Sequence, residues 1–202
     1  GGIDCNYYSS PTITGCTISG NTANDSGGGI SCRDYSSPTI TGCTISGNTA
    51  ADSGGGISCS DSSLTITDCT ISDNTANDSG GGIYCYDSNP TITGCTISGN
   101  TAISGGGISC NYYSSPTLTD TVVCGNDPDQ NNGSWIDNGG NTVSDECPIC
   151  PDTNSDALVD RNDVLAVVAA WGSDDPDADV DSDGLVGVFD LLTVLTTWGP
   201  CE

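Results

Sequence analysis

The stretch GGGISCRDYSSPTITGCTISGNTA, residues 27–50, recurs along most of the chain with small changes. Its first phrase, GGI-x-C, starts at five glycines: Gly1, Gly28, Gly55, Gly81 and Gly106. Its second phrase, TITGCTISGN or a close variant, starts at five threonines: Thr12, Thr39, Thr65, Thr91 and Thr117. A fixed period of 25 to 27 residues predicts a solenoid, in which one repeat buries its apolar face only against its neighbours.

Alignment of the copies places the aliphatic residues in three columns. The columns are Ile3, Ile30, Ile57, Ile83 and Ile108; Ile13, Ile40, Ile66, Ile92 and Leu118; and Ile18, Ile45, Ile71, Ile97 and Val123. Thr or Ser flanks most of these residues, and a period of two with β-branched side chains predicts strands. Three short strands per repeat indicate an all-β parallel β-helix of about five coils. We expect it, with a closing segment, to span residues 1–146.

Asparagines form a further column at one turn of the coil. Its members are Asn21, Asn48, Asn74, Asn100 and Asn126. Stacked amides can bond to the coils above and below, so this column predicts an amide ladder.

The composition excludes several classes of partner. The 202 residues include 27 acidic and two basic side chains, for a formal net charge of −25. Such a surface repels nucleic acid and anionic membranes and attracts divalent cations, and no apolar run has the length of a membrane span. The chain contains 13 Cys and no His, which favours disulfides and secretion over zinc sites. The start at Gly1, in a chain without Met, suggests processing from a longer protein.

The repeat phrases resemble the right-handed parallel β-helix repeats of bacterial cell-surface and secreted proteins. The resemblance covers residues 1–126 and rests on the GGGI and TITGCTISGNTA phrases. It implies a secreted or cell-surface location in a bacterium. It leaves the function open, because the same scaffold carries lyases, adhesins and structural proteins.

Each cysteine of the repeat lies two residues from an aliphatic residue of a column and therefore faces inward as that residue does. We predict one disulfide within each of four coils: Cys5–Cys16, Cys32–Cys43, Cys59–Cys69 and Cys85–Cys95. Coil five has Thr121 in place of the second cysteine, which leaves Cys110 without a partner. Of the remaining cysteines we pair Cys124 with Cys147 and Cys150 with Cys201. Two alternatives stay open: stacked free thiols that act as small apolar groups, or bridges between adjacent coils.

Residues 147–202 predict a separate calcium-binding module. Two twelve-residue loops, 152–163 and 179–190, carry acidic or amide side chains at positions 1, 3, 5 and 12, which is the spacing of Ca²⁺ loops. The predicted ligands are Asp152, Asn154, Asp156, Leu158, Asp160 and Asp163, then Asp179, Asp181, Asp183, Leu185 and Asp190, with the leucines acting through their carbonyl groups. The apolar residues of the following segments predict a small helical core: Val164, Leu165, Val168, Trp171, Leu191, Leu192, Leu195 and Trp198.

The duplicated loop and helix resemble a type I dockerin, an all-α, EF-hand-like module. The resemblance implies Ca²⁺ as a cofactor and a cohesin-like partner. The first loop departs from the pattern because Ala157 stands where a glycine is expected, so we expect this site to bind more weakly. Arg161, Asn162, Val188 and Phe189 stand where dockerins usually carry small hydroxyl residues for cohesin.

Tyrosines cluster after the first strand of several coils. The candidate binding surface consists of Tyr7, Tyr8, Tyr35, Tyr86, Tyr112 and Tyr113. Exposed tyrosines of this kind can stack on sugars or contact another subunit.

Three functions are compatible with these patterns. The first is a secreted, calcium-stabilised structural protein that assembles head-to-tail into a filament, because the first coil has no cap. The second is an enzyme that degrades polysaccharides, which the near-identity of the coils and the lack of Lys and His make the weaker hypothesis, so we expect no catalytic activity. The third is a glycan-binding protein that uses the tyrosine surface.

Overall fold

The computed structural model describes residues 1–147, 158–159, 161–196 and 199–200, with side chains at 1–147 and 164–195. The chain divides into two compact units, Gly1–Cys147 and Pro148–Glu202.

The first unit is a stack of coils whose strands form three six-stranded sheets and one smaller sheet. Sheet A contains β1 (Ile3–Cys5), β5 (Ile30–Cys32), β9 (Ile57–Ser60), β13 (Ile83–Tyr86), β16 (Ile108–Asn111) and β19 (Asn131–Asn132). Sheet B contains β2 (Thr12–Thr14), β6 (Thr39–Thr41), β10 (Thr65–Thr67), β14 (Thr91–Thr93), β17 (Thr117–Thr119) and β20 (Ile136–Asp137). Sheet C contains β3 (Thr17–Ser19), β7 (Thr44–Ser46), β11 (Thr70–Ser72), β15 (Thr96–Ser98), β18 (Val122–Cys124) and β21 (Thr142–Ser144). Sheet D contains β4 (Thr22–Ala23), β8 (Thr49–Ala50) and β12 (Thr75–Ala76).

Neighbouring strands in these sheets are parallel and pair repeat for repeat. Ile3 lies opposite Ile30, and Ile66 lies opposite both Ile40 and Ile92. The one-residue differences in repeat length therefore fall outside the strands, because a slip inside a strand would turn its apolar side chains outward. The prediction of a parallel β-helix of about five coils is confirmed.

Two parts of this architecture were not predicted. The Thr-Ala pairs that follow the asparagine column form a fourth strand in the first three coils, and Ala23, Ala50 and Ala76 are buried. A sixth, shorter coil follows the fifth, formed by β19, β20 and β21. The repeat pattern did not predict this coil because the coil lacks the GGI-x-C phrase. Its strand Thr142–Ser144 nevertheless keeps the polar–aliphatic–polar pattern.

The core of the first unit consists of the predicted aliphatic columns. Ile30, Ile45 and Ile66 are fully buried. Close packing at one corner requires a residue without a side chain, because a Cβ on Gly55 would lie 2.6 Å from the carbonyl oxygens of Gly81 and Thr75. Burial of one isoleucine side chain stabilises the fold by roughly 1.5–3 kcal/mol, so the repeated columns supply the main driving force for stacking.

The amide ladder is present and its inner members are fully buried. The side-chain oxygen of Asn74 accepts hydrogen bonds from the backbone nitrogen and the side-chain nitrogen of Asn48, both at 3.0 Å. The side-chain nitrogen of Asn74 donates to the Ile45 carbonyl and to the Asn100 side-chain oxygen, both at 2.9 Å. Gln130 takes the next place after Asn126, whose side-chain nitrogen donates to it at 2.8 Å. The ladder thus pairs its buried amide groups from coil to coil.

The disulfides predicted within the coils are wrong. Cys5, Cys16, Cys32, Cys43, Cys59, Cys69, Cys85 and Cys95 are free thiols in the structure, as is Cys110. Parallel register places each cysteine of sheet A opposite the equivalent cysteine of the next coil, as with Cys5 and Cys32. The sulfurs at the second position bond instead to the backbone, as Cys43 does with the amide of Cys16. The alternative of stacked thiols describes this arrangement.

The pairing proposed for Cys124 is formed. Cys124, at the end of β18, is joined to Cys147 by a disulfide. The bridge ties residue 147, the last residue of the first unit, to sheet C. The other predicted partners, Cys150 and Cys201, lie outside the described residues.

The second unit contains two nine-residue helices, α1 (Arg161–Ala169) and α2 (Val188–Thr196). Short strands β22 (Leu158–Val159) and β23 (Gly199–Pro200) pair antiparallel, so the unit is not all-α as predicted. None of the described helices is long and apolar enough to cross a membrane.

Most of the core residues predicted for this unit are not buried in the structure. The buried residues are Val167, Ala178, Val186 and Val194, and Val164 and Leu191 pack against them. The other predicted core side chains that the structure describes are about half exposed: Leu165, Val168, Trp171, Leu192 and Leu195. The short helices leave both faces rich in aliphatic residues, so the sequence did not show which face is buried. Trp198 lies outside the described residues.

The amide ladder gives a test of the fold. Replacement Asn74→Ala leaves two donors on Asn48 and the Ile45 carbonyl without their partner inside the core. We expect the free energy of unfolding to fall by roughly 3–5 kcal/mol, measured by urea denaturation. Asn21→Ala, at the partly exposed end of the ladder, should cost only about 1 kcal/mol. Equal losses for the two variants would contradict the role of the ladder.

Candidate functional site

The second predicted calcium loop brings three carboxylates together between the two helices. Asp179, Asp181 and Asp183 each place one carboxylate oxygen within 4.8 Å of the others. We call these residues the acidic triplet. Among the described residues it is the one group of three or more acidic or cysteine side chains with metal-site spacing.

Backbone hydrogen bonds hold the triplet in place. The amides of Asp183 and Gly184 donate to the two carboxylate oxygens of Asp179, at 3.1 and 2.9 Å. The amide of Leu185 donates to Asp183 at 2.9 Å. Gly184 has φ +91°, which a residue with a side chain rarely adopts. A tight loop that turns alternate carboxylates inward is the arrangement that Ca²⁺ loops use.

The acidic triplet concentrates negative charge in one loop. Loss of hydration raises the pKa of Asp181, and the negative charges of Asp183, Asp190 and Asp179 raise it further, although the amide of Asp183 opposes the shift. Arg161 belongs to this unit but its side chain lies outside the described residues. Carboxylate oxygens are ligands that Ca²⁺ prefers, so the residues present fit this ion.

Asp190 lies outside the acidic triplet, although the sequence predicted it as a ligand. Its carboxylate is buried and accepts hydrogen bonds from the amides of Val180 at 2.7 Å, Asp181 at 3.1 Å and Gly187 at 2.6 Å. Burial acts to raise the pKa of Asp190, but these amide donors outweigh it and the pKa is lowered. The bond to Gly187 is half of a capping box, with Asp190 at the third position of α2. The residue thus fastens the loop to the helix.

The remaining predicted ligands are tested only in part. Leu185 follows the triplet and its side chain is exposed. Asp152, Asn154, Asp156 and Asp160 lie outside the described residues, as do the side chains of Leu158 and Asp163. The first loop therefore stays a prediction.

The tyrosines form two clusters on the surface of the first unit rather than one surface. Tyr8 stacks on Tyr35 with ring centroids 5.5 Å apart, and Tyr86 lies 4.7 Å from Tyr112. Tyr112 also meets Tyr113 edge-on at 6.4 Å. Coil three carries no tyrosine at this position, and a shallow depression lies there between the clusters. It is lined by Tyr35, Ser37, Asp61, Ser62, Ser63 and Asp87.

The exposed tyrosines adopt a backbone conformation that is unfavourable for them. Tyr7, Tyr8, Tyr35, Tyr112 and Tyr113 have φ between 43° and 62°. A bulky residue with positive φ costs roughly 1–2 kcal/mol, and Gly or Asn would be less strained. Tyr7 is 77% exposed and Tyr113 is 90% exposed, so little burial compensates for the strain. The sequence did not reveal this strain, although the three coils that carry these tyrosines have turns one residue longer than the other two of the first five coils, and each has two consecutive residues of positive φ.

The fold and its repeated strands define a parallel β-helix protein. The family model of the right-handed β-helix region matches residues 1–123, and the chain belongs to this family. The match ends before the acidic triplet. Comparison with curated proteins and with solved structures gives no match.

The strained tyrosines give a second test. We expect Tyr7→Asn to raise the free energy of unfolding by about 1 kcal/mol, because Asn tolerates positive φ better than Tyr. Urea denaturation of the variant and the wild type measures the difference. Tyr84 lies within strand β13, so Tyr84→Asn should lower stability instead. A loss of stability in Tyr7→Asn would show that the ring contributes more than the strain costs.

Proposed function

We propose that the protein is a secreted structural protein whose second unit is stabilised by Ca²⁺ and which has no catalytic activity. The observation that carries this proposal is the sameness of the coils, whose strands repeat the same side chains in register. A scaffold needs this sameness. A catalytic site needs a local exception, in which groups of different chemistry converge on one reacting atom.

The basic residue of the first unit supports a non-catalytic role. Arg33 forms an ion pair with Asp4 at 3.1 Å, and both side chains are about half exposed. Lyases need a base and positive charge to hold an acidic sugar, and the chain has no Lys and no His. Release of reducing sugars from pectin, alginate or xylan would contradict the proposal.

Calcium is proposed because of the acidic triplet. A bound Ca²⁺ would neutralise the repulsion among Asp179, Asp181 and Asp183 and supply a positive charge at their centre. The resemblance of this loop to a type I dockerin supports the same ion. The dockerin identity, a bacterial source, head-to-tail assembly and a cohesin-like partner stay predictions.

Glycan binding is a second candidate function, favoured by the strained and exposed tyrosines. The depression between the two clusters offers hydroxyl groups and two carboxylates beside the ring of Tyr35. Sugars are held in such places by stacking on an aromatic ring and by hydrogen bonds to their hydroxyls. A glycan array that shows one bound class, lost in Tyr35→Ala and retained in Tyr84→Ala, would support this function over a purely structural one.

Calcium binding can be measured directly. Titration of the full chain with Ca²⁺ by calorimetry should show binding, and thermal unfolding of the second unit should shift upward. Asp181→Asn removes one carboxylate of the triplet and should weaken binding at least about tenfold.

Asp174→Asn is the matched control, because it makes the same chemical change at an exposed residue outside the triplet. It should bind Ca²⁺ as the wild type does. Absence of binding at millimolar Ca²⁺, or equal weakening in the two variants, would contradict the proposed site. The first loop is a second predicted Ca²⁺ site in the full chain. The acidic triplet is therefore tested by the difference in Ca²⁺ affinity between Asp181→Asn and Asp174→Asn.

A further inference from the structure

The first cysteine of each coil forms a column that the proposed function does not use. We call it column A; its members are Cys5, Cys32, Cys59, Cys85 and Cys110. Each member lies directly opposite the next in the parallel register of sheet A. The first four are at most 2% exposed, and Cys110 packs against the same core.

The spacing of column A suits disulfides between coils. In-register residues of neighbouring parallel strands lie about 4.8 Å apart. A disulfide joins residues whose Cα atoms are roughly 4.4–6.8 Å apart. The register leaves no residue between Cys5 and Cys32, or between Cys85 and either Cys59 or Cys110, and neighbouring thiols of the column shift each other's pKa.

The second cysteine of each coil has a different environment. These residues, column B, are Cys16, Cys43, Cys69 and Cys95. The sulfur of Cys43 accepts a hydrogen bond from the amide of Cys16 at 3.4 Å and donates to the carbonyl of Thr41 at 3.4 Å. Cys95 also lowers the pKa of Cys69, but both sulfurs keep backbone carbonyl partners.

Thr121 shows what column B requires. It stands at the next place in the column, where its hydroxyl accepts from the amide of Cys95 at 3.4 Å and donates to the carbonyl of Thr119 at 2.9 Å. A hydroxyl therefore replaces the thiol with the same two contacts. In column A, by contrast, cysteine occupies all five coils.

We propose that column A is a redox-modification site in which cysteines of successive coils form disulfides. Cys5 pairs with Cys32, and Cys85 pairs with either Cys59 or Cys110. One thiol of the five remains reduced. Each bridge ties two stacked coils together, which a bridge within one coil would not do.

The oxidant is a low-molecular-weight disulfide such as oxidised glutathione. The Cys5 thiolate attacks one sulfur of this disulfide, forms a mixed disulfide and releases one glutathione thiolate. Cys32 loses its proton to solvent and attacks the Cys5 sulfur, which releases the second glutathione. Two cysteine thiols and one oxidised glutathione thus give one cystine bridge and two reduced glutathiones.

In the folded protein the local chemistry makes Cys5 the more acidic thiol of its pair. The hydrogen bond from Cys32 lowers the pKa of Cys5 to about 7, although burial and the charge of Asp4 oppose this. The same contact raises the pKa of Cys32. Because the column is buried, the exchange takes place while the coils open or fold.

Disulfide mapping tests the proposal. The reduced full chain is refolded from urea in glutathione buffer with excess oxidised glutathione, free thiols are alkylated, and an Asp-directed protease cuts the chain before mass spectrometry. Cleavage before Asp4, Asp25 and Asp34 places Cys5 and Cys16 on residues 4–24, Cys32 on 25–33 and Cys43 on 34–51. We expect a link between residues 4–24 and 25–33.

Two variants resolve which cysteine forms that link. Cys16→Thr, which introduces the residue that column B already has at Thr121, should keep the link, and Cys5→Ser should abolish it. Oxidised wild type should unfold roughly 5–10 °C above the reduced protein, and the shift should be smaller in Cys5→Ser. Circular dichroism confirms that each variant is folded, and Cys85→Ser serves as the second variant by abolishing the links from residues 78–86.

Two results would overturn the proposal. A link between residues 25–33 and 34–51 would show a bridge from Cys32 to Cys43 within one coil. Full alkylation of Cys5 and Cys32 after oxidative refolding would show that column A stays reduced. Neither result bears on Ca²⁺ binding, because the acidic triplet contains no cysteine.

Discussion

Parallel register obliges each side chain of the first unit to stack on its own equivalent one coil away. The strand spacing of about 4.8 Å is set by backbone hydrogen bonds, so side chains cannot avoid this neighbour. Only certain groups benefit from contact with a copy of themselves. Isoleucine gains apolar contact, and the amide of Asn74 both donates to and accepts from its copies. Inside the coils the structure therefore uses aliphatic, amide, hydroxyl and thiol groups.

Carboxylates, by contrast, do not gain from stacking on copies of themselves, since their negative charges repel each other. In the first unit, Asp34, Asp61 and Asp87 lie in exposed turns with positive φ, where side chains can diverge into water. The second unit instead concentrates three carboxylates in one loop. There loss of hydration, together with the negative charges of the neighbouring carboxylates, raises the pKa of Asp181, and a bound cation would offset both effects. The first unit thus separates its carboxylates in exposed turns, whereas the second unit brings three carboxylates together in one loop.

The period of the sequence was sufficient to predict three strands in each of the first five coils, their register and the amide ladder, because each follows from stacking equal repeats. The same reasoning failed for the cysteines. Spacing along the chain suggested that Cys32 and Cys43 meet, whereas register places Cys32 beside Cys5 and Cys59. The sequence also identified the acidic triplet from ligand spacing alone. It did not predict the role of Asp190, because the backbone amides that hold this residue become neighbours only when the loop closes.

In a fold built from stacked equal coils, the residues that differ from the repeat are the ones that can give the protein a specific function. Thr121 preserves the two backbone contacts of the cysteine it replaces, so this departure removes a thiol and leaves the local hydrogen bonds intact. The tyrosine turns are a departure of another kind, because they add strain and exposed rings without adding core. A residue that destabilises its own turn needs a compensating reason, and contact with another molecule supplies one. In the glycan-binding function proposed above, the uniform coils would provide the rigid support and the variable turns the surface that contacts the glycan.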